Sequence, residues 1–143
     1  MSDPQFVAEA SARAMYEQDR ASQALGMRVL EVRPGYARLA MKVRDDMVNG
    51  HRICHGGLIF TLADSAFAFA CNTYDVVTVA AAGTIEFLLA ANLGDELTAT
   101  AEERTRSKRN GLYDVSVHNQ RGECVALFRG RSHQVGGSIT APP

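Results

Sequence analysis

The sequence predicts a single α+β domain in which an antiparallel sheet of five or six strands curls around one apolar helix. Three observations carry this. Residues 58–71 are almost entirely apolar, with Asp64 as the one charged side chain. From Val76 onward the chain reads as β-rich runs divided by turn signals. Its 143 residues are the length of one domain with a sizeable core and contain no internal repeat or linker, so residues 1–143 form the unit.

Pro4 suits the first turn of a helix over about residues 4–25, with Gly26 as its stop and Phe6, Ala10, Ala14 and Met15 facing the core. Residues 28–33 and 36–43 alternate polar and apolar around Pro34-Gly35, a strand–turn–strand pattern. A polar loop from Arg44 to Gly57 leads into the apolar helix, which runs to about Tyr74. The long run from Val76 to Leu89 is β-rich and interrupted at Gly83. Residues 96–105 alternate, Asn110-Gly111 reads as a tight turn, residues 112–117 alternate again, and Cys124 to Val135 is the last strand. Residues 136–143, with their Gly-Gly and Pro-Pro pairs, read as a flexible tail.

Composition excludes several function classes. Hydrophobic content of 46% and charged content of 22% are those of a soluble globular protein. A net charge of -1 gives nucleic acid no bulk attraction. No window reaches the roughly 18 apolar residues of a membrane span. The opening Met1-Ser2-Asp3-Pro4 lacks the basic and apolar regions of a secretory signal. Three cysteines without CxxC spacing fit free thiols in a reducing compartment, so the cytoplasm is the expected location.

The chemistry centres on the apolar helix. A helix apolar all round belongs in the interior, where an unpaired carboxylate is costly. Asp64 lies two turns in, too far to cap the helix start, so it is either satisfied by a partner or kept for chemistry. Gly56-Gly57 mark the helix N-terminus, whose unsatisfied N–H groups and positive dipole end can polarise a carbonyl oxygen. Glycine at a helix start is also common as a simple steric turn. Asp64 stands eight residues past Gly56, about 12 Å along the axis. An Asp side chain cannot cover that distance. The two groups meet only if a second copy of the helix lies antiparallel beside the first, which predicts a two-fold homodimer with composite sites.

His51 and His55 flank Cys54, but the surrounding glycines make this stretch loop, so four-apart spacing does not align metal ligands and no metal is expected. A Cys54–His55 nucleophile pair is weaker still, because adjacent side chains on an extended chain diverge. Cys71 and Cys124 sit at apolar positions and read as packing residues.

The run HGGLIFTLADSAFAFACN, Asn49 before it, the GTIEFL segment at residues 83–88, the GDEL turn at residues 94–97 and the VALFRGRSH ending at residues 125–133 resemble the hotdog-fold acyl-CoA thioesterases, in particular their phenylacetic acid degradation branch. The likeness covers nearly the whole chain. It implies a long helix wrapped by the sheet, dimers that pair into homotetramers, and an acyl-CoA substrate with no separate cofactor, coenzyme A being part of the substrate. It also implies that the Gly56 N–H polarises the thioester carbonyl and that Asp64 of the partner chain is nucleophile or general base. Asn49 and His55 match the polar positions that orient the thioester or the water, and Thr84 a site-lining position. Gly57 belongs to the same helix start. Coenzyme A needs cations for its phosphates, and Arg104, Arg106, Lys108 and Arg109 form the densest basic run. Phe60, Phe67 and Leu58 are candidates for an apolar acyl pocket. The expected activity is hydrolysis of an acyl-CoA, of the phenylacetyl or hydroxyphenylacetyl class. A dehydratase or hydratase of the same fold and a non-catalytic acyl-CoA-binding domain are the alternatives.

Overall fold

A computed structural model describes residues 3–141. Helix α1 (Pro4–Gln18) opens with Pro4 in its first turn and Asp3 as its cap, the Asp3 carboxylate accepting from the Phe6 N–H at 3.2 Å. The single helix expected over residues 4–25 is in fact two. Asp19 ends α1 and caps α2 (Arg20–Ala24), its carboxylate accepting from the Ser22 N–H and hydroxyl. An Asp side chain that bonds its own following backbone competes with helix continuation, and here it wins. The core face of α1 is the expected one only in part: Met15 packs against the core as expected. Ala8, Ser11 and Ala12 are buried, whereas Phe6 is 60% exposed.

Six strands follow the expected plan: β1 (Arg28–Arg33), β2 (Tyr36–Lys42), then, after helix α3 (Gly56–Cys71), β3 (Thr78–Phe87), β4 (Glu96–Ser107), β5 (Asn110–His118) and β6 (Cys124–Gln134). They form one antiparallel sheet in the order β1-β2-β4-β5-β6-β3. Two sequence signals fall at other residues than expected. The turn between β4 and β5 is at Lys108-Arg109, with Asn110 already paired to Ser107; Lys108 takes the left-handed conformation that Gly111 was expected to supply. Gly83 does not interrupt β3 but pairs with Gly130, and the irregularity falls at Ala80/Ala82.

Helix α3 lies in the concavity of the sheet. Ile59, Leu62, Ala63, Ala66, Phe67, Phe69 and Ala70 are buried against alternating residues of the strands, such as Leu39 and Met41 of β2, Leu97 and Ala99 of β4, and Val115 and Val117 of β5. Each large apolar side chain buried in this way contributes about 1.5–3 kcal/mol. A network pins the C-terminal end of α3. Glu103 Oε1 accepts from the Tyr74 and Tyr113 hydroxyls at 2.8 and 3.0 Å, and Thr73 Oγ1 accepts from the Gly35 N–H at 2.8 Å.

The two sheet edges differ. The β1 edge is overlaid by α1, with Gln5 donating to the Val32 carbonyl. The β3 edge is open, and most of β3 is exposed, including Val79 and Phe87. The tail expected at residues 136–143 is, over residues 138–140, held on Asp75, whose carboxylate accepts from the Ser138 and Thr140 hydroxyls and the Ile139 and Thr140 N–H groups. Pro142 and Pro143 lie outside the described residues.

Candidate active site

The start of α3 is built by the polar loop before it. Asn49 Oδ1 accepts from the His51 N–H at 2.9 Å, the Asn49 N–H donates to the Ile53 carbonyl, and the Cys54 N–H to the Ala91 carbonyl. His55 is the N-cap. Its Nδ1 accepts from the Gly57 N–H at 2.9 Å, and its own N–H donates to the Met47 carbonyl. This capping consumes the Gly57 donor and leaves Gly56. Among the described residues nothing accepts from the Gly56 N–H. Asn49 Nδ2 is likewise without an acceptor there. The loop therefore gathers Asn49, His55, Gly56 and Gly57 at one end of α3, with one backbone donor unspent at the positive end of the helix dipole.

Asp64 sits in the middle of α3, half-buried, with neither a hydrogen bond nor an ion pair among the described residues; burial pushes its carboxyl pKa up from the usual value of 3.8. The helix is not enclosed all round, as its composition suggests. A stripe of Gly57, Phe60, Thr61, Asp64 and Ala68 stays partly exposed, and Phe60 reaches to within 3.6 Å of the position a Cβ on Gly83 of β3 would take. Asp64 thus lies on an open seam beside the open β3 edge. Within one chain it cannot reach Gly56, which stands eight residues, or about 12 Å, away along the continuous helix.

An unpaired carboxylate in this position costs stability. Because the folded-state pKa is raised, the folded chain holds the Asp64 proton more tightly than the unfolded chain. The cost is absent below the usual carboxylate pKa and complete above the raised one. Asp64→Asn is therefore expected to raise Tm at neutral pH, with the gain vanishing as pH falls below about 3.8. Thermal melts of both proteins across that range check this. A lower Tm for Asp64→Asn at neutral pH would mean that Asp64 has a satisfying partner.

Residues 51–126 match the family described as the thioesterase superfamily. The chain belongs to the thioesterase superfamily. It is 49% identical over 130 residues to the acyl-coenzyme A thioesterase PaaI of Escherichia coli K12, covering 91% of this chain and 93% of the relative. The solved structure of the E. coli PaaI protein from the phenylacetic acid degradation operon superposes with a TM-score of 0.93 at 46% identity, over 95% of this chain and 99% of that one. A hypothetical thioesterase from Streptococcus pneumoniae TIGR4, solved with coenzyme A, gives 0.75 at 25% identity, over 78% and 90% of the two chains. The six-stranded sheet and central helix are the hotdog fold of the superfamily.

Several residues expected at the site of this thioesterase-superfamily chain lie elsewhere. Phe67 is 1% exposed, stacked among Tyr113 and Phe128 and seated over Gly130, where a Cβ would come within 2.8 Å of its ring. It is core, out of reach of an acyl group. Phe60 is half-buried, edge-on to Phe128 at 5.3 Å, and Leu58 is half-buried too. Thr84 pairs with Arg129 and faces away from α3, into a cavity of about 420 Å³ on the outer side of the sheet with Glu86, Arg104 and Asp114. The alternation explains this, since Gly83, Ile85 and Phe87 take the inner face.

Arg104 is paired with Asp114 at 2.8 Å. Arg106 is paired with Glu103 at 3.1 Å and stacked 3.7 Å above the Tyr74 ring, so it braces the C-terminal end of α3. Lys108 and Arg109 stand at the exposed hairpin tip without an ion-pair partner among the described residues. Cys54 is buried, and burial pushes its thiol pKa up to about 11, which keeps it a neutral thiol and argues against a nucleophilic role. Cys71 is pushed up to about 12 by the same cause. Among the described residues no His, Cys, Asp and Glu group has the arrangement of a metal site. No described helix is long and apolar enough to cross a membrane.

The sequence reading missed Phe87. It is the last residue of β3, 53% exposed, and its ring Cζ lies 3.1 Å from where a Cβ on Gly56 would stand. The alternation from Gly83 through Ile85 is the signal that assigns it to the inner face.

Proposed function

We propose that this chain hydrolyses acyl-CoA thioesters at a site shared between two copies, with arylacetyl-CoA as the preferred class. The observation that carries the reading is the pairing of two unspent groups: a half-buried carboxylate without a partner at Asp64, and a helix-start N–H without an acceptor at Gly56. The second copy would pair along the open β3 edge and set its α3 antiparallel on the exposed stripe. Unpaired strand edges are rarely left bare. Each site would then hold Gly56 of one chain and Asp64 of the other. Pairing of such dimers into a homotetramer follows the family pattern.

In this site the thioester carbonyl oxygen accepts from the Gly56 N–H. Asp64 takes a proton from water, and the resulting hydroxide attacks the carbonyl carbon. The negative charge on the tetrahedral oxygen is stabilised by the N–H and the helix dipole. The C–S bond then breaks, the free acid forms, and the CoA thiolate takes the proton from Asp64. A raised carboxyl pKa makes Asp64 a stronger base than a solvated carboxylate, which favours this route. Asn49 Nδ2 and His55 Nε2 would orient the water and the thioester. No separate cofactor is needed, and the three free thiols suit a cytoplasmic enzyme.

The basic hairpin fits the same arrangement. Within one chain it lies at the Tyr74 end of α3, away from Gly56. In an antiparallel pair that end comes next to the Gly56 end of the other helix. Lys108 and Arg109 would then serve the CoA phosphates across the interface. Neutralising both is expected to raise KM and weaken its salt dependence with kcat kept. Arg106→Ala is expected to act differently, lowering Tm by removing a stacked, paired guanidinium worth about 0.5–1 kcal/mol. Initial rates across a salt series, with thermal melts of each variant, separate the two behaviours.

The activity is tested by thiol release from a panel of acyl-CoAs. Phenylacetyl-CoA and its hydroxylated relatives are expected to show higher kcat/KM than acetyl-CoA or a dicarboxylic acyl-CoA. A preference for acetyl-CoA or palmitoyl-CoA would overturn the substrate assignment. Saturable binding without thiol release would overturn hydrolysis itself.

A further inference from the structure

We infer that Phe87 is the specificity-determining wall of the thioester site, and that residue 56 is glycine in order to seat its ring. The inference rests on the proposed reading of Gly56 as the carbonyl-binding residue. Phe87 closes β3 and pairs with Ala126, which is fully buried, so its side chain is directed to the inner face and the start of α3. There its ring meets Gly56. Cζ is 3.1 Å, Cε1 3.4 Å and Cε2 3.6 Å from the position of a Cβ on that residue. The N and Cβ of one residue are only about 2.5 Å apart. The Gly56 nitrogen therefore lies at most about 6 Å from the ring, close enough for the acyl group of a thioester held there to meet it.

The ring is only partly covered. In the single chain Phe87, at 53% exposure, leaves half of its apolar surface open next to the one unspent donor of the helix start, at the end of β3 where the second copy would complete the site. An arylacetyl group bound through its carbonyl would cover that surface, and an aromatic pair gains about 0.5–1.5 kcal/mol beyond burial. An acetyl group is too small to do so. The contact therefore discriminates between acyl groups, while a contact with the CoA portion would serve every substrate alike.

The same geometry assigns a second role to glycine. Alanine at residue 56 keeps the N–H but crowds the ring, and because Phe87 is exposed the ring can swing away without unfolding the chain. The loss in Gly56→Ala then comes through Phe87.

The test measures kcat/KM for phenylacetyl-CoA and acetyl-CoA in the wild type, Phe87→Leu, Phe87→Ala, Gly56→Ala and the Gly56→Ala/Phe87→Ala double variant, with Tm and solution mass for each. Phe87→Ala is expected to lower the phenylacetyl value threefold to tenfold and leave the acetyl value nearly unchanged. Phe87→Leu should fall between it and the wild type. The double variant should lose no more than Phe87→Ala alone, because the two changes act on one contact. Equal losses on both substrates, or losses that multiply in the double variant, would overturn the inference while leaving the hydrolase reading intact. A folded wild type inert toward both substrates would remove the hydrolase reading and this inference with it.

Discussion

Asp64→Asn is expected to lower kcat for the best acyl-CoA by about 10²–10⁴-fold, the usual contribution of a positioned general base. That factor corresponds to about 3–5 kcal/mol of transition-state stabilisation. The asparagine keeps the size and hydrogen-bonding capacity of the side chain but can neither accept the water proton nor attack the carbonyl. KM should change little, because the carboxylate acts on the reacting atoms and Gly56 with the hairpin tip holds the substrate. The pH profile carries a second signature. Burial raises the Asp64 pKa, so the wild-type rate should fall on the acid side at a pH above the usual 3.8 of an aspartate. That limb should disappear in the residual activity of the variant. Steady-state kinetics across pH provide the check, and near-normal turnover would remove Asp64 from the mechanism. Paired with the expected gain in Tm at neutral pH, the result would describe a residue kept at a cost to stability because the reaction needs it.

The helix and the strands were legible because their periods are strong. Residues 58–71 admit few positions other than an interior, and the alternation at residues 28–43 and 96–117 fixes the sheet face by face. What failed were places where a local side chain competes with the periodic signal. Asp19 breaks the first helix by capping the second, a role that composition does not distinguish from an exposed helical acid. Lys108 accepts a left-handed backbone that Asn110-Gly111 was better suited to supply, because strand pairing on both sides sets the turn length.

The site was legible in part, for a related reason. Asn49, His55, Gly56 and Gly57 are neighbours in sequence, so one loop brings them together. Asp64 stood out as a charge on an apolar helix. Residues that depend on strand parity or on distant partners were harder to place. Thr84 faces outward because the irregularity at Ala80/Ala82 sets the parity of the rest of β3. Arg106 reads as a phosphate ligand until Glu103 and Tyr74 are found around it. Phe67 shares the helix with Asp64, but its ring fills the space above Gly130, a contact 63 residues away in the chain.

The shared site itself is tested by mixing two inactive proteins, one carrying Asp64→Asn and the other Gly56→Val. Each is disabled at one part in both of its sites: the first lacks the carboxylate, and in the second the branched valine side chain crowds the approach to the N–H of residue 56. After subunit exchange at equal concentration, about half of the dimers are mixed and each contains one site with both parts intact, so activity should return to about a quarter of the wild-type value. The second intact set of parts is never formed, which is why the recovery stops there. Exchange is verified independently by mass-labelled subunits. Recovery near that level establishes that Gly56 and Asp64 act across the interface, whereas verified exchange with activity still absent would contradict it.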